Sequence, residues 1–464
     1  MIASSPRPWL SLGMLVLAAV SLLLAPGSLP AQEVEVDVVE EAVLVAGPGN
    51  IHWRLLAAML AMFMQAGLAL LACGLVRAKN AADTVMKNFV SFAVAIGVFF
   101  AVGHGLMFGA SVAGFTGTGP FFLEGIDAAS PQGQWALANW CFQALLAAAA
   151  AAIVSGGLAE RMTFAGYMAA TLLMSAVIYP VSGHWAWGGL LGGAGAGWLG
   201  GMGFLDAAGS TVVHSVAGWV AFAGAIVLGP RLGKYTADGK AKAILGHNLP
   251  MAALGVLILW FAWFGVTCGS PFVPESAVGH VAVNTQVAAC FGFLGAMTAI
   301  WLKTSTFDPS LSFSGALAGL VAISAGCLEV SPVGALVIGL FAGGLVVVSV
   351  LFIDQVLRVD DPVGVISIHG VCGLYGTIMV GLFAAPGYGE HVGLLYGGTS
   401  ELLLTQAVGV MAVFAWAFGA GYCVFWAANR FLRMRHQPRQ ETEGLDKTEH
   451  GAEAYCGFQI FDND

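Results

Sequence analysis

Thr211-Val212-Val213-His214-Ser215-Val216-Ala217-Gly218 and Ser367-Ile368-His369-Gly370-Val371-Cys372-Gly373 each set a histidine inside an apolar run and follow it with glycine four residues on. An ionisable side chain in such a run is costly in lipid and marks either a pathway or a paired structural contact. A spanning helix needs about 20 mainly apolar residues. Runs that meet this test lie at about 51–76, 89–112, 136–158, 163–184, 207–229, 248–268, 279–302, 309–327, 331–353, 363–383 and 403–428. The two histidine segments are the fifth and the tenth of these eleven. A signature shared by the fifth and tenth helices divides the chain into two five-helix halves, and because five is odd the second half must be inverted in the membrane. Inverted repeats place a common site near the midplane, where the halves meet. The expected fold is therefore an all-α integral membrane protein of eleven transmembrane helices: two inverted five-helix repeats plus a final helix, N-terminus outside and C-terminus inside.

Composition agrees. Of 464 residues, 58% are apolar and 9% charged, against about 25% charged in an ordinary soluble domain, which is too few to cover a water-facing surface. The 64 glycines, many inside apolar runs such as Gly188 to Gly203, suit close helix contact in lipid. A net charge of −9 carried by loops and ends argues against a nucleic-acid partner. The eight cysteines include no CxxC pair and are expected to pack rather than to form disulfides or bind zinc.

Orientation follows from the basic residues, which gather in cytoplasmic loops. With the mature N-terminus outside, inner segments hold 15 of the 17 Lys and Arg, the exceptions being Arg7 and Arg54 at the outer end of the first span. An even number of spans would break that pattern. Arg7, an apolar stretch from Trp9 to Ala25 and a turn ending near Ala31 read as a signal peptide over 1–31, with an uncleaved extra helix as the alternative. The remaining expected divisions are an external segment over 32–50, a membrane domain over 51–430 and a cytoplasmic regulatory tail over 431–464. No soluble domain is present, so the function must be built from the helices.

Neutral imidazole offers one N–H donor and one acceptor. Two facing rings can bond to one another and still present polar edges to a lumen, which suits a small neutral amine and offers too little to a dehydrated metal ion. His214 and His369 are thus expected to line a pore. His104, alone in its span, is expected to make a helix–helix hydrogen bond.

At this point the sequence resembles the ammonium transporters of the Amt/Mep/Rh superfamily, specifically the bacterial branch, over about residues 50 to 455. The carrying motifs are Phe63-Met64-Gln65-Ala66-Gly67 leading to Gly74-Leu75-Val76-Arg77-Ala78-Lys79-Asn80; Gly157-Leu158-Ala159-Glu160-Arg161; Asp206-Ala207-Ala208-Gly209-Ser210 through His214; Arg358-Val359-Asp360-Asp361-Pro362 to His369; and Glu443-Gly444-Leu445-Asp446 with His450-Gly451. The resemblance implies ammonium/ammonia transport, with NH4+ recruited at an outer site of Trp187, Phe142 and Ser270 and a buried Asp206 holding the backbone beneath it. An indole face attracts a small cation by about 2 kcal/mol when desolvated. It also implies a homotrimer, and a tail with Glu443, Gly444, Leu445 and Asp446 that receives a PII-type nitrogen-signalling protein. No cofactor, bound metal or enzymatic activity is expected: no His/Glu metal motif or Ser/His/Asp constellation appears in the spans.

Two positions depart from the family pattern. The family commonly closes the outer vestibule with two stacked phenylalanines, and the corresponding positions are the aliphatic Leu146 and Val266. Ala72 also replaces a frequent glutamate, and Gly364 stands where some members carry Asp. The altered gate motivates an alternative, an ammonium sensor or receptor with little flux.

Overall fold

The computed structural model describes residues 48–190 and 197–455; the expected signal peptide and most of the external segment lie outside these. Among the described residues, eleven helices are long and apolar enough to cross a membrane: Ile51–Leu75, Ala78–Phe108, Pro131–Leu158, Phe164–Trp187, Ser210–Leu228, Leu249–Cys268, Glu275–Thr304, Pro309–Gly326, Pro332–Leu357, Ile366–Phe383 and Ser400–Leu432. Small residues let them pack closely. Gly255 of the sixth span lies against the backbone of Gly67 and Leu71 in the first, and Gly292 of the seventh against Gly315 and Gly319 in the eighth. The third span threads the middle, with Ala147 through Ala152 all buried. The seven described cysteines are unpaired.

Two local features differ from the all-helical expectation. The loop after the second span holds a short antiparallel ribbon, Ala110–Val112 paired with Thr116–Thr118. The second span also starts at Ala78 rather than near 89. Asn80, Asp83, Lys87 and Asn88 depress the hydropathy of that stretch, yet all four are buried: the C-terminal tail packs on Asn80 and Asp83, Lys87 reaches Met162 and Asn88 bonds back to Thr84.

The tail supplies what this helix lacks. Asn80, at the N-cap, makes no side-chain cap bond. Instead the Asp446 carboxylate accepts from the backbone N–H of Ala82 at 3.0 Å and of Asp83 at 2.8 Å, while Asn80 Oδ1 accepts from Leu445 N–H at 2.9 Å. Lys87 Nζ donates to Asp83 at 2.8 Å and to the Met162 carbonyl at 2.6 Å. Farther along, Glu441 accepts from Leu232 N–H at 2.6 Å and pairs with Arg435 at 3.0 Å.

The same end of the bundle is held by buried ions. The Arg231 guanidinium grips Asp360 through Nε at 2.8 Å and Nη2 at 2.9 Å, and reaches Glu160 through Nη1 at 3.0 Å. Glu160 also receives Arg77 at 2.8 Å. Burial alone would raise both carboxyls. The guanidinium charges outweigh it, holding Asp360 at about 2 and Glu160 below its ordinary value.

Candidate functional site

The two halves build the same device from the same residues. In the first, the Asp206 carboxylate accepts from the N–H groups of Gly209 (2.9 Å), Thr211 (2.9 Å) and Val212 (2.8 Å). In the second, Asp361 accepts from Gly364 (3.0 Å), Val365 (3.1 Å) and Ile366 (2.7 Å). Each carboxylate therefore satisfies the unpaired donors at the start of a span. Burial pushes both carboxyls up, each to about 6, against the pull of those backbone N–H groups. Each cap is followed by a glycine at positive φ, Gly209 at 95° and Gly364 at 79°, and then by a wide π-helical turn, Ser210–Ser215 and Ile366–Val371. Such turns often mark functional sites, and each of these carries its histidine.

Close approach of the two turns brings the histidines together. A Cβ on Gly218 would collide with the Gly370 nitrogen, and one on Gly373 with the Ser210 carbonyl, so the fifth and tenth spans cross nearly backbone to backbone. His214 Nδ1 and His369 Nδ1 are 3.1 Å apart, with ring centroids 5.1 Å apart at 21°. One Nδ1 must donate and the other accept, so the rings hold opposite tautomers. His214 also stacks on Trp263, 4.8 Å away and tilted by 15°. That indole is fixed by a 2.9 Å hydrogen bond from Nε1 to Ser324 Oγ. His214 Nε2 has no partner among the described residues.

This crossing makes a testable demand. Gly218→Ala should force the two spans apart, lengthen the imidazole contact and lower flux of the expected small amine in reconstituted vesicles by up to about 100-fold, the loss expected from misplacing a positioned group by about 1 Å. Unchanged flux in correctly folded protein would show that the close approach does not matter.

The expected recruitment residues gather at the other end of Asp206. Trp187 donates from Nε1 to the Asp206 carbonyl at 2.9 Å, and its ring edge lies beside Gly209. Ser270 donates its hydroxyl to the Ala207 carbonyl and accepts from Phe272 N–H at 3.3 Å, which leaves acceptor capacity on Oγ. The Phe142 ring edge lies beside Gly269, next in the chain to Ser270. Trp187, Ser270 and Asp206 therefore surround residues 206–209, and Phe142 joins them through Gly269. Leu146, one turn along from Phe142, and Val266, one turn along from Trp263, are both buried.

Sequence reasoning passed over two points and misread a third. Asp361 stands eight residues before His369, as Asp206 stands eight before His214; that equal spacing was the available signal. Trp263 had no signal apart from its aromatic character. His104 makes no helix–helix hydrogen bond among the described residues. Both of its ring nitrogens lack partners, and the ring sits against Phe99 and Phe108, at 6.1 Å and 5.4 Å.

Comparison with known proteins gives a consistent set of matches. The model of the Ammonium Transporter Family matches residues 52–455. The chain is 42% identical over 431 residues to the ammonium transporter Amt2 of Archaeoglobus fulgidus, covering 89% of each chain. Among solved structures, it is similar to one named "Sensor Amt Protein", with a TM-score of 0.82 and 39% identity, covering 86% of this chain and 98% of that one. It is also similar to Candida albicans Mep2, with a TM-score of 0.75 and 29% identity, covering 84% and 86%.

Proposed function

The chain belongs to the ammonium transporter family, and from that membership we propose how it moves its substrate across the membrane. NH4+ gathers on the outer side at Trp187, Phe142 and Ser270, next to the negative potential of Asp206. It gives up its proton to water at the mouth and crosses past His214 and His369 as NH3, and from that water the proton can follow by a separate route. The observation that carries this reading is the 3.1 Å contact between two imidazoles, one from each half. A lumen edged by neutral rings offers a donor and an acceptor to NH3 and cannot replace the hydration shell of K+.

The rest of the proposal concerns setting. The distribution of Lys and Arg supports an outward N-terminus and an inward tail, hence a multi-pass protein of the inner (plasma) membrane whose first 31 residues serve as a signal peptide. The sequence motifs support the further proposal of a member of the bacterial branch that forms a homotrimer and receives a PII-type protein on its tail. In that role Glu443 faces outward, while Leu445 and Asp446 are buried against the chain's own second span, so a partner would meet the former.

Solid-supported-membrane currents on the purified protein test the transport reading. Ammonium and methylammonium should give saturable signals and K+ none, and a current with ammonium shows that charge crosses with the nitrogen, by a separate proton route or as NH4+ itself. Equal signals with K+ would sink the reading. A sensor is the second reading, favoured by the aliphatic Leu146 and Val266 and by the likeness to the structure named as a sensor. Retained ammonium binding without flux, together with failure to support a transporter-deficient strain on low ammonium, would favour it.

A further inference from the structure

Arg54 stands apart from the charge pattern of the chain, being the one basic residue of the membrane domain on the outer side. Its side chain is buried, at 5% exposure, and it has no acidic partner among the described residues. Its guanidinium carbon lies 4.7 Å from the ring centroid of Trp135 and 5.3 Å from that of Phe142. Nη1 donates to the Gly269 carbonyl, and Nε has no partner among the described residues. Two aromatic faces and one carbonyl therefore compensate a cation that stays charged at any physiological pH.

These are the groups that would otherwise meet the substrate. A small cation binds within about 6 Å of a ring centroid, and the guanidinium occupies that range over Phe142. Gly269, which accepts its hydrogen bond, precedes Ser270 directly. A second cation drawn to the same face would lie beside the first in a region screened little by water, where like charges repel strongly.

We propose that Arg54 is a tethered competitor of ammonium: its guanidinium holds the Phe142 face, and a cation from outside must displace it to bind there. This rests on the role given to Phe142 in the transport reading. Arg54 thereby sets the concentration at which the protein loads. An ammonium ion that displaces the guanidinium must supply the contacts it takes over, and Arg54 must find others. Neutral NH3 meets no such repulsion.

The experiment compares the unaltered protein with Arg54→Gln, Arg54→Met and Arg54→Lys in vesicles, reading the concentration dependence of ammonium and methylammonium currents. Size-exclusion profiles establish which variants are folded, and the two neutral replacements guard against the failure of one. The half-saturating concentration should fall about tenfold in the Gln and Met variants and stay near the original value in the Lys variant. Adding Phe142→Ala to the Gln variant should remove the gain. Half-saturation unchanged or raised in both neutral variants overturns the proposal, and so does a gain in the Lys variant equal to that in Gln. If no form of the protein carries ammonium, the transport reading itself fails; if the unaltered protein carries ammonium while the Arg54 variants show no shift, only the competitor role fails.

Discussion

Vesicles carrying the His214→Ala, His369→Ala double variant are expected to lose most of their discrimination between ammonium and K+. The two imidazoles form the contact on which the proposed pathway rests, with Nδ1 atoms 3.1 Å apart and neighbouring aromatic packing on Trp263. Removing both deletes every imidazole nitrogen at the crossing and leaves a space into which water can follow. A hydrated lumen admits K+ on nearly the same terms as ammonium. Each buried polar partner lost costs about 1–3 kcal/mol, so the ammonium-to-K+ current ratio should fall by about 100-fold. A single replacement should have a smaller effect, because the remaining ring can turn toward water. A ratio unchanged in the double variant would remove the histidines from the pathway.

Asp360→Ala is expected to produce the largest loss of stability. Arg231 is almost fully enclosed and holds Asp360 through two side-chain bonds. Removing Asp360 takes two of its three carboxylate bonds from a buried guanidinium and leaves it Glu160 alone, at a cost of up to about 3 kcal/mol, and the apparent melting temperature in detergent should fall by several degrees. The Arg231→Ala, Asp360→Ala double variant should recover part of that loss, since the under-compensated guanidinium goes with it while Glu160 keeps Arg77. A single variant that melts with the unaltered protein would show that the network contributes nothing. The pH dependence has a definite sign. Asp360 is held at about 2, below its ordinary 3.8, so its contribution is fully present above about pH 4. It is lost as pH falls from there through about 2, and an acid melting series should show that step in the unaltered protein and not in the Asp360→Ala variant.

Much of the architecture was legible because lipid imposes simple rules. Span length, the parity set by Lys and Arg, and the repeated histidine signature each follow from the cost of exposed backbone and charge in hydrocarbon. The features that escaped depend on partners distant in sequence. Lys87 and Asp83 look like loop residues until Met162 and Asp446 are seen to satisfy them. Hydropathy therefore placed the second span's start too late. The Asp361 cap needed a comparison of the two halves at one more position than the histidines. Arg54 looked like a boundary charge, since nothing near it in the chain announces Phe142 or Trp135 as its neighbours. Trp187, Ser270 and Asp206 came together as the family resemblance implied, but periodicity alone would not have gathered them.

The borrowed cap on the second span ties two distant ends of the chain into one cooperative unit. Because the amides of Ala82 and Asp83 rely on a carboxylate from Asp446, lifting the tail leaves the foot of a membrane helix with naked donors and takes His450 away from the Asp83 carboxylate. The helix must then fray or recruit water. Detachment of the tail is thereby felt in the first turns of the second span, and a tail that looks like an appendage works as a keystone.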